Sequence, residues 1–332
     1  MSWKVAFFLS AMAVHGTAAA QSVAPPASLL HPVDGTTQTE EVPFKDDRYE
    51  RMTVPVHLSG AGPFRFMVDT GADRTAVSSQ LATRLKLTSG ASATLHSVTG
   101  VSTVQTALLP DLQLSRRSVR VVDAPLLDSL HMGADGILGV DSLRKQRVEF
   151  DFENNLMSIV PSASVEAIKV PDAIVITATR RSGRLIFTEA KVNGRPVTVV
   201  LDTGAQVSVA NSALRRMLAG RRVESTTEKV ELHSVTGASL TGDYAFVREL
   251  DIGGVSLRNL AVVFADAHTF RKLKLHDKPA LLLGMNAIRA FKRVSIDFAS
   301  RKFRVVVPES SALSSRVAAM MPISVRFPNE GY

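Results

Sequence analysis

The chain contains one sequence unit written twice, and this repeat constrains the fold more than any other feature. Four segments of the first half recur in the same order in the second half: 64–72 with 197–205, 95–100 with 232–237, 136–139 with 281–284, and 147–152 with 293–298. The segments Leu95–Gly100 and Leu232–Gly237 are identical letter for letter. Because the period is far longer than that of a solenoid repeat, the sequence predicts two similar lobes related by a pseudo-two-fold axis.

Within each copy the local signals favour strands. Strands are predicted at 53–58, 119–122, 148–152, 185–192 and 260–264. Asn193-Gly194 stands between two β-rich runs and is typical of a two-residue hairpin turn. Short helices are predicted at 78–85, 141–145, 212–218 and 286–291. The predicted fold class is therefore all-β, a tandem pseudo-two-fold repeat with short helices.

The N-terminus has the pattern of a secretory signal peptide. Lys4 precedes an apolar run from Val5 to Val14, and small residues follow up to Ala20. The run is too short to span a bilayer, so we expect cleavage near Ala20, export to the periplasm or beyond, and no stable membrane insertion. The predicted organisation is a signal peptide (1–20), a flexible leader (21–47), lobe 1 (48–160), a linker (161–183), lobe 2 (184–308) and a C-terminal tail (309–332).

Composition excludes several kinds of chemistry. The chain has no cysteine, which excludes disulfides, thiolate metal sites and a cysteine nucleophile. Its formal net charge is +8, yet basic pairs such as Arg215-Arg216 are interpreted as solvated surface, because no aromatic residues interleave them. The glycine-rich segments lack the lysine of a phosphate loop. We therefore expect no nucleic acid, no cofactor and no metal.

Asp69 and Asp202 each end an apolar run and are each followed by Thr-Gly-Ala. A strand that ends in this way carries its carboxylate into a buried setting, which is costly. Two such carboxylates that face each other cannot both ionise cheaply, so they share a proton. One can then act as general base on a water molecule while the other donates a proton. The pair predicts hydrolysis without a metal; the alternative is a pair of buried structural acids.

With these motifs the chain resembles the retropepsin-like aspartic peptidases, as two fused lobes in one chain of the bacterial aspartyl protease type. In that family an apolar-apolar-Gly strand crosses behind each Asp-Thr-Gly loop, and 137–139 and 282–284 match this strand. The resemblance implies a bilobal acid-protease-like β-barrel fold.

The resemblance also implies roles for the residues around the motif. Asp69 and Asp202 would form the catalytic dyad, and the residues that support it would be Thr70, Gly71, Thr203 and Gly204. The substrate-binding positions would be Ala72, Asp73, Ala205 and Gln206. In the retroviral type an arginine after the apolar-apolar-Gly segment often pairs with the acid at the position of Asp73. Val140 and Met285 stand there in this chain, so the resemblance supplies no partner for Asp73.

Each lobe of this family covers the substrate with a β-hairpin flap, and the two identical hexapeptides stand at a suitable distance after the aspartates. The predicted flap residues are Val98, Thr99, Gly100, Val235, Thr236 and Gly237. His96 and His233 are interpreted as polar hairpin residues, because no other ligand cluster lies near them in sequence.

These features predict an exported aspartic endopeptidase that works as a monomeric, intramolecular pseudo-dimer. Its substrate would be a peptide or an unfolded protein segment laid as a β-strand between the flaps and the dyad. The alternatives are a non-catalytic peptide-binding module of the same fold, and a chain whose lobes pair with those of a second chain.

Overall fold

The computed structural model describes residues 40–43, 45–46, 52–114, 117–162, 173–181, 184–219, 224–308 and 317–319. The predicted signal peptide and most of the predicted leader lie outside these residues. Within the described ranges, no helix combines the length and the apolar character needed to cross a membrane. We call residues 52–162 lobe 1 and residues 173–308 lobe 2.

Lobe 1 and the segment before it consist mostly of short strands. The strands are β1 Glu40–Pro43, β2 Lys45–Asp46, β3 Met52–Leu58, β4 Ala61–Val68, β5 Ala76–Ser78, β6 Ala93–His96, β7 Val101–Val104, β8 Thr106–Leu114, β9 Arg117–Leu127, β10 Gly136–Leu138, β11 Gln146–Asp151 and β12 Leu156–Pro161. The helices are α1 Ser79–Arg84, α2 Ser129–Met132 and α3 Val140–Leu143.

Lobe 2 follows a similar order of elements. The strands are β13 Ile174–Thr177, β14 Thr179–Arg181, β15 Arg184–Val192, β16 Arg195–Leu201, β17 Ser208–Ala210, β18 Glu224–His233, β19 Ser239–Ile252, β20 Val255–Phe264, β21 Ala280–Leu283, β22 Arg293–Asp297 and β23 Lys302–Val306, followed by β24 Val317–Ala319. The helices are α4 Ser212–Leu218, α5 His268–Lys272 and α6 Met285–Ile288. The prediction of an all-β fold with short helices is confirmed.

Each lobe closes a six-stranded barrel, and the two barrels have the same strand order. In lobe 1 the order is β3-β4-β10-β5-β9-β8, and β8 pairs with β3. In lobe 2 the order is β15-β16-β21-β17-β20-β19, and β19 pairs with β15. Closure leaves none of these six strands as a free edge, which is how small barrels remove unpaired backbone groups. The predicted pseudo-two-fold repeat of a bilobal acid-protease-like fold is therefore present in the topology.

A separate six-stranded sheet joins the two lobes in the order β1-β12-β11-β22-β23-β13. Its centre is the antiparallel pair β11 and β22, which are the two copies of one repeated segment. Arg147 therefore lies opposite Asp297, and Asp151 lies opposite Arg293. The Arg293 guanidinium donates to Asp151 Oδ2 at 2.7 Å. An arginine of one strand lies opposite an aspartate of the other at both ends of the pair, which favours this register. The local two-fold axis passes through the sheet between the two strands.

Segments predicted to lie outside the lobes also contribute strands. The strands β1 and β2 come from the predicted leader, β13 and β14 from the predicted linker, and β24 from the predicted tail. They pair with β12, β3, β23, β15 and β20 respectively. Strands at these positions satisfy backbone groups that a sheet edge would leave unpaired.

Candidate active site

Asp69 and Asp202 each stand one residue beyond a buried barrel strand. The residues just before Asp69, from Phe66 to Val68, are fully buried at the end of β4. Asp69 N donates to Leu138 O of β10 at 3.1 Å, and Asp202 N donates to Leu283 O of β21 at 3.0 Å. The apolar-apolar-Gly strand of each copy thus runs parallel to the strand that ends in the aspartate and holds the start of its loop.

Thr70 and Thr203 join the two loops by reciprocal hydrogen bonds. Thr70 N donates to Thr203 Oγ1 at 2.9 Å, and Thr203 N donates to Thr70 Oγ1 at 3.0 Å. Each hydroxyl then donates to the last carbonyl of the opposite strand, at 3.2 Å to Leu201 O and 2.8 Å to Val68 O. Both threonines are at most 2% exposed, so these bonds are shielded from water. The two aspartates are therefore held side by side.

Gly71 and Gly204 bring each loop into contact with the opposite aspartate. Gly71 N donates to Asp69 Oδ1 at 2.7 Å, and Gly204 N donates to Asp202 Oδ1 at 3.1 Å. A Cβ atom added to Gly71 would lie 2.6 Å from Asp202 Oδ1, and one added to Gly204 would collide with the Asp69 carboxyl group. Only glycine fits at either position. The Gly71 loop thus lies against the Asp202 carboxyl group and the Gly204 loop against the Asp69 carboxyl group.

The surroundings of Asp202 disfavour its charged form. Burial raises the pKa of Asp202; the positive charge of Arg184 and hydrogen bonds from Gly204 N, Ala205 N and Asp69 oppose that rise without cancelling it. Both aspartates are half-buried residues. A carboxyl pair in which one member holds a proton is the arrangement expected for two close acids.

Asp73 has a partner that the resemblance did not supply. Lys272, in α5 of lobe 2, donates to Asp73 Oδ2 at 3.1 Å. The other oxygen, Oδ1, is buried and has no hydrogen-bond partner among the described residues. Gln206 stands at the corresponding position of lobe 2, so one half of the cleft has an acid where the other has an amide.

The backbone around the remaining predicted substrate positions is tied to the helices that follow the barrel strands. Ala72 N donates to Asp69 Oδ1 at 3.1 Å, and Ala72 O accepts from Val140 N at 2.9 Å. Ala205 O likewise accepts from Met285 N at 2.8 Å. Val140 and Met285 thus fasten the loops through their backbone.

Both predicted flap segments form hairpin turns, between β6 and β7 and between β18 and β19. Ser97 N donates to Gly100 O at 2.8 Å, and Ser234 N donates to Ala238 O at 2.8 Å. Val98 packs against an apolar cluster made of lobe 2 residues, whereas Val235 packs against a cluster made of lobe 1 residues. Each hairpin therefore reaches across to the opposite lobe, a crossing that the sequence did not predict.

The first hairpin is also bound to α5 by polar contacts. His268 N donates to Val98 O at 2.8 Å. The His96 and His268 rings are stacked, with His96 Nδ1 and His268 Nε2 3.0 Å apart. Burial lowers the pKa of His268, and the charges of His96, Arg271 and Lys272 lower it further. His96 is thus more than a polar hairpin residue, because it takes part in a contact between the lobes.

Sequence reasoning missed two equivalent hydrogen-bonded pairs, one in each lobe. Each pair joins the segment after a dyad aspartate to the helix that follows the apolar-apolar-Gly strand. Thr75 Oγ1 donates to Asp141 Oδ1 at 2.7 Å and accepts from Gly139 N at 3.1 Å. In lobe 2, Ser208 Oγ donates to Asn286 Oδ1 at 2.8 Å and accepts from Gly284 N at 3.1 Å. A signal was present, because each copy has Asp or Asn two residues after its Leu-Gly and a hydroxyl six residues after its dyad aspartate.

Arg184 was also missed. This buried residue reaches from β15 of lobe 2 to Gly71 O of lobe 1. No group of three or more His, Asp or Glu side chains arranged to hold a metal ion occurs within the part of the chain that the structure describes.

Comparison with protein families assigns the same kind of domain to both halves. Residues 54–145 match the family model described as gag-polyprotein putative aspartyl protease, and residues 188–287 match the model described as aspartyl protease. Comparison with curated proteins finds no significant match. Each matched range holds one Asp-Thr-Gly loop and its apolar-apolar-Gly strand. Because the two matches together cover more than half of the chain, the chain belongs to the retropepsin-like aspartic peptidases, with two aspartyl protease domains in tandem.

Proposed function

We propose that this chain is an exported endopeptidase that hydrolyses peptide bonds with a water molecule activated between Asp69 and Asp202. The observation that supports it most is the pair of Asp-Thr-Gly loops, which the reciprocal bonds of Thr70 and Thr203 hold together so that each glycine lies against the opposite aspartate. Export is the expectation from the signal-peptide pattern of residues 1–20.

The two carboxyl groups share one proton, so they can take opposite roles in the reaction. Each accepts hydrogen bonds from the backbone of its own loop, Asp69 from Gly71 N and Ala72 N and Asp202 from Gly204 N and Ala205 N. Burial raises the pKa of Asp202, which favours a pair that holds one proton. In the proposed reaction the ionised member of the pair takes a proton from the water while the water oxygen attacks the peptide carbonyl carbon. The protonated member gives its proton to the carbonyl oxygen.

The tetrahedral intermediate then breaks down by the reverse use of the same groups. The member that took the proton passes it to the amide nitrogen, the C–N bond breaks, and the other member recovers its proton from the hydroxyl as the carbonyl forms again. No charge has to be held by a group outside the pair. The reaction needs only two carboxyl groups that share one proton and one water molecule.

The proposed substrate is an extended segment of peptide or unfolded protein. Each of the two hairpins crosses to the other lobe. Asp73 Oδ1 has no hydrogen-bond partner within the described part of the chain, so we propose that it accepts a hydrogen bond from a substrate N–H. Gln206 offers a neutral amide instead, which would make the two ends of the cleft prefer different contacts.

The test is cleavage of an unstructured protein across a range of pH by the wild type, Asp69→Asn and Asp202→Asn. Asp277→Asn, which alters an 82% exposed side chain, is the matched control. We expect each dyad variant to lose at least about 1,000-fold in kcat/KM, and the control to keep wild-type activity. Full activity in both dyad variants would refute the proposal, and loss in only one would show that the lobes do not share a site.

Two further outcomes separate the alternatives. Peptide binding by the wild type without cleavage at any pH would favour a non-catalytic binding module. Both dyad loops are joined here within one chain, so we propose that the active species is a monomer. Activity that appears only together with a dimeric mass in light scattering would show that lobes of different chains must pair.

A further inference from the structure

Arg184 is a buried cation that links the lobes beside the dyad. It is the first residue of β15 and is 7% exposed. Its Nε donates to Gly71 O at 2.7 Å, and its Nη2 donates to the same oxygen. Gly71 belongs to the loop of lobe 1, whereas Arg184 belongs to lobe 2. The guanidinium therefore holds the carbonyl of one dyad loop from the other lobe.

The residue that Arg184 holds is the one placed between the two carboxyl groups. Gly71 N donates to Asp69 Oδ1 at 2.7 Å, and the Gly71 Cα faces the Asp202 carboxyl so closely that a Cβ would collide with it. A movement of the Gly71 carbonyl would change both contacts. The orientation of the two carboxyl groups thus depends on the hydrogen bonds that Arg184 donates to Gly71 O.

Hydrogen bonds alone do not explain why a charged side chain is buried here. The two guanidinium donors Nε and Nη2 share one neutral carbonyl oxygen, that of Gly71. The third nitrogen, Arg184 Nη1, is buried and has no hydrogen-bond partner among the described residues. A buried guanidinium without a nearby anion is costly. The nearest anion in this arrangement is the dyad, because the glycine whose carbonyl Arg184 binds contacts both carboxyl groups. In agreement with this, the positive charge of Arg184 lowers the pKa of Asp202.

The repeat places an arginine at the same position of the first copy. Thr53 pairs with Met67, two residues before Asp69, and Ile186 pairs with Val200, two residues before Asp202. Two residues before Thr53 the sequence has Arg51, as it has Arg184 two residues before Ile186. Arg51 lies outside the described residues, so the structural argument rests on Arg184 alone.

We propose that Arg184 is a positioning residue of the peptidase reaction, which holds the Gly71 loop across the lobes and supplies the positive charge that keeps the dyad singly ionised. The proposal rests on the proposed function of the dyad. The active form carries one proton on the pair, so it exists between the two pKa values of the pair. A nearby cation lowers both values, and its removal raises both.

Three substitutions separate the positive charge of Arg184 from its hydrogen bonds to Gly71 O. Arg184→Met removes both, Arg184→Gln removes the charge but can still donate to Gly71 O, and Arg184→Lys keeps the charge without the fork. Arg180→Met, on the exposed face of β14, is the matched control. The measurement is kcat and KM against pH on one unstructured peptide.

For Arg184→Met and Arg184→Gln we expect both limbs of the pH profile to move upward by about one pH unit. For Arg184→Lys we expect the limbs to stay in place while kcat falls at least about tenfold, because the loop is held less well. The control should match the wild type. A neutral variant that loses stability but keeps the wild-type limbs would overturn the proposal, since a merely structural arginine does that.

A second measurement does not depend on turnover. The carboxyl-carbon NMR shifts of Asp69 and Asp202, assigned with the two Asp→Asn variants, report the titration of the pair directly. We expect both titration midpoints to be higher in Arg184→Gln than in the wild type. If the wild type cleaves nothing but the midpoints shift, the proposed function fails and the electrostatic role of Arg184 stands; unchanged midpoints refute that role. Should Arg184→Met not fold, Arg184→Gln and Arg184→Lys decide the question by the same two measurements.

Discussion

Thr70 and Thr203 each donate a backbone hydrogen bond to the hydroxyl group of the other, at 2.9 and 3.0 Å. Since each hydroxyl also donates to a carbonyl of the opposite lobe, four hydrogen bonds cross the pseudo-two-fold axis directly beneath the two aspartates. Loss of one hydroxyl removes bonds on both sides of the axis. Dyad geometry and lobe association are therefore coupled.

The first prediction concerns this exchange. Thr203→Val keeps the shape of the side chain but leaves Thr70 N and Val68 O buried without their partner. Each such group costs about 1–3 kcal/mol, so we expect the free energy of unfolding to fall by about 2–4 kcal/mol in urea denaturation. Thr203→Ser, which keeps the hydroxyl, should lose less than half as much. An equal loss in both variants would mean that packing of the methyl group matters more than the hydrogen bonds.

A methyl group at Gly71 should disable the dyad. The added Cβ would lie 2.6 Å from Asp202 Oδ1, so Gly71→Ala must push the carboxyl groups apart. We expect kcat/KM on an unstructured peptide to fall at least about 100-fold. Gly254→Ala is the control, because its Cβ meets nothing within 4 Å although φ is +89°. It should lose about 1 kcal/mol of stability and keep its activity; comparable loss of activity in both variants would contradict the steric explanation.

Lys272 should govern substrate affinity through Asp73. Their ion pair is partly exposed, at 27% and 36% of the two side chains, so Lys272→Met should change stability by less than about 1 kcal/mol. Without Lys272, Asp73 is free to turn away, and we expect KM to rise about three- to tenfold with kcat little changed. The exposed Lys278→Met serves as control. A fall in kcat at constant KM would place Lys272 in the chemical step instead.

The histidine contact should loosen in acid. Burial lowers the pKa of His268, and the charges of His96, Arg271 and Lys272 lower it further. The unfolded or detached state, with an ordinary pKa near 6.5, therefore binds more protons than the bound state. The stabilising free energy of the His96–His268 contact is fully present above a pH of about 6.5 and is lost as the pH falls below it. Two anions face the cations of the same helix, Asp73 at Lys272 and Asp266 at Arg271.

Hydrogen exchange checks this prediction. We expect exchange of the amides of residues 97–100, corrected for the intrinsic effect of pH, to become faster as pH is lowered from about 7 to about 5 in the wild type. In His268→Gln the corrected exchange should change little over that range, while residues 234–238, in the other hairpin, provide the internal reference. Equal pH dependence in the wild type and the variant would show that the pair does not hold the first hairpin.

Local sequence patterns predicted much of the fold because they depend on neighbours along the chain. The helix predicted at 212–218 has those bounds, and the turn at Asn193-Gly194 has both residues at positive φ, as the hairpin signal requires. The short strands β5 and β17 were not predicted, because three residues carry no readable period. Strand β1 lies in a segment with weak local preference, and pairing with a sheet edge decides its structure. Strand β13, by contrast, is made of four β-branched residues, and the prediction of a linker at 161–183 overlooked that local signal.

The sequence by itself determined that there are two copies of one β-barrel unit and that each contributes one aspartate, since motif order and strand pattern are local properties. The tertiary structure decided which side chains surround the pair. Arg184 and Gly71 are 113 residues apart in sequence, His96 and His268 are 172 apart, and Asp73 and Lys272 are 199 apart. No local pattern relates such residues. They meet because the two barrels pack about a pseudo-two-fold axis, and this packing brings residues of both lobes to one cleft.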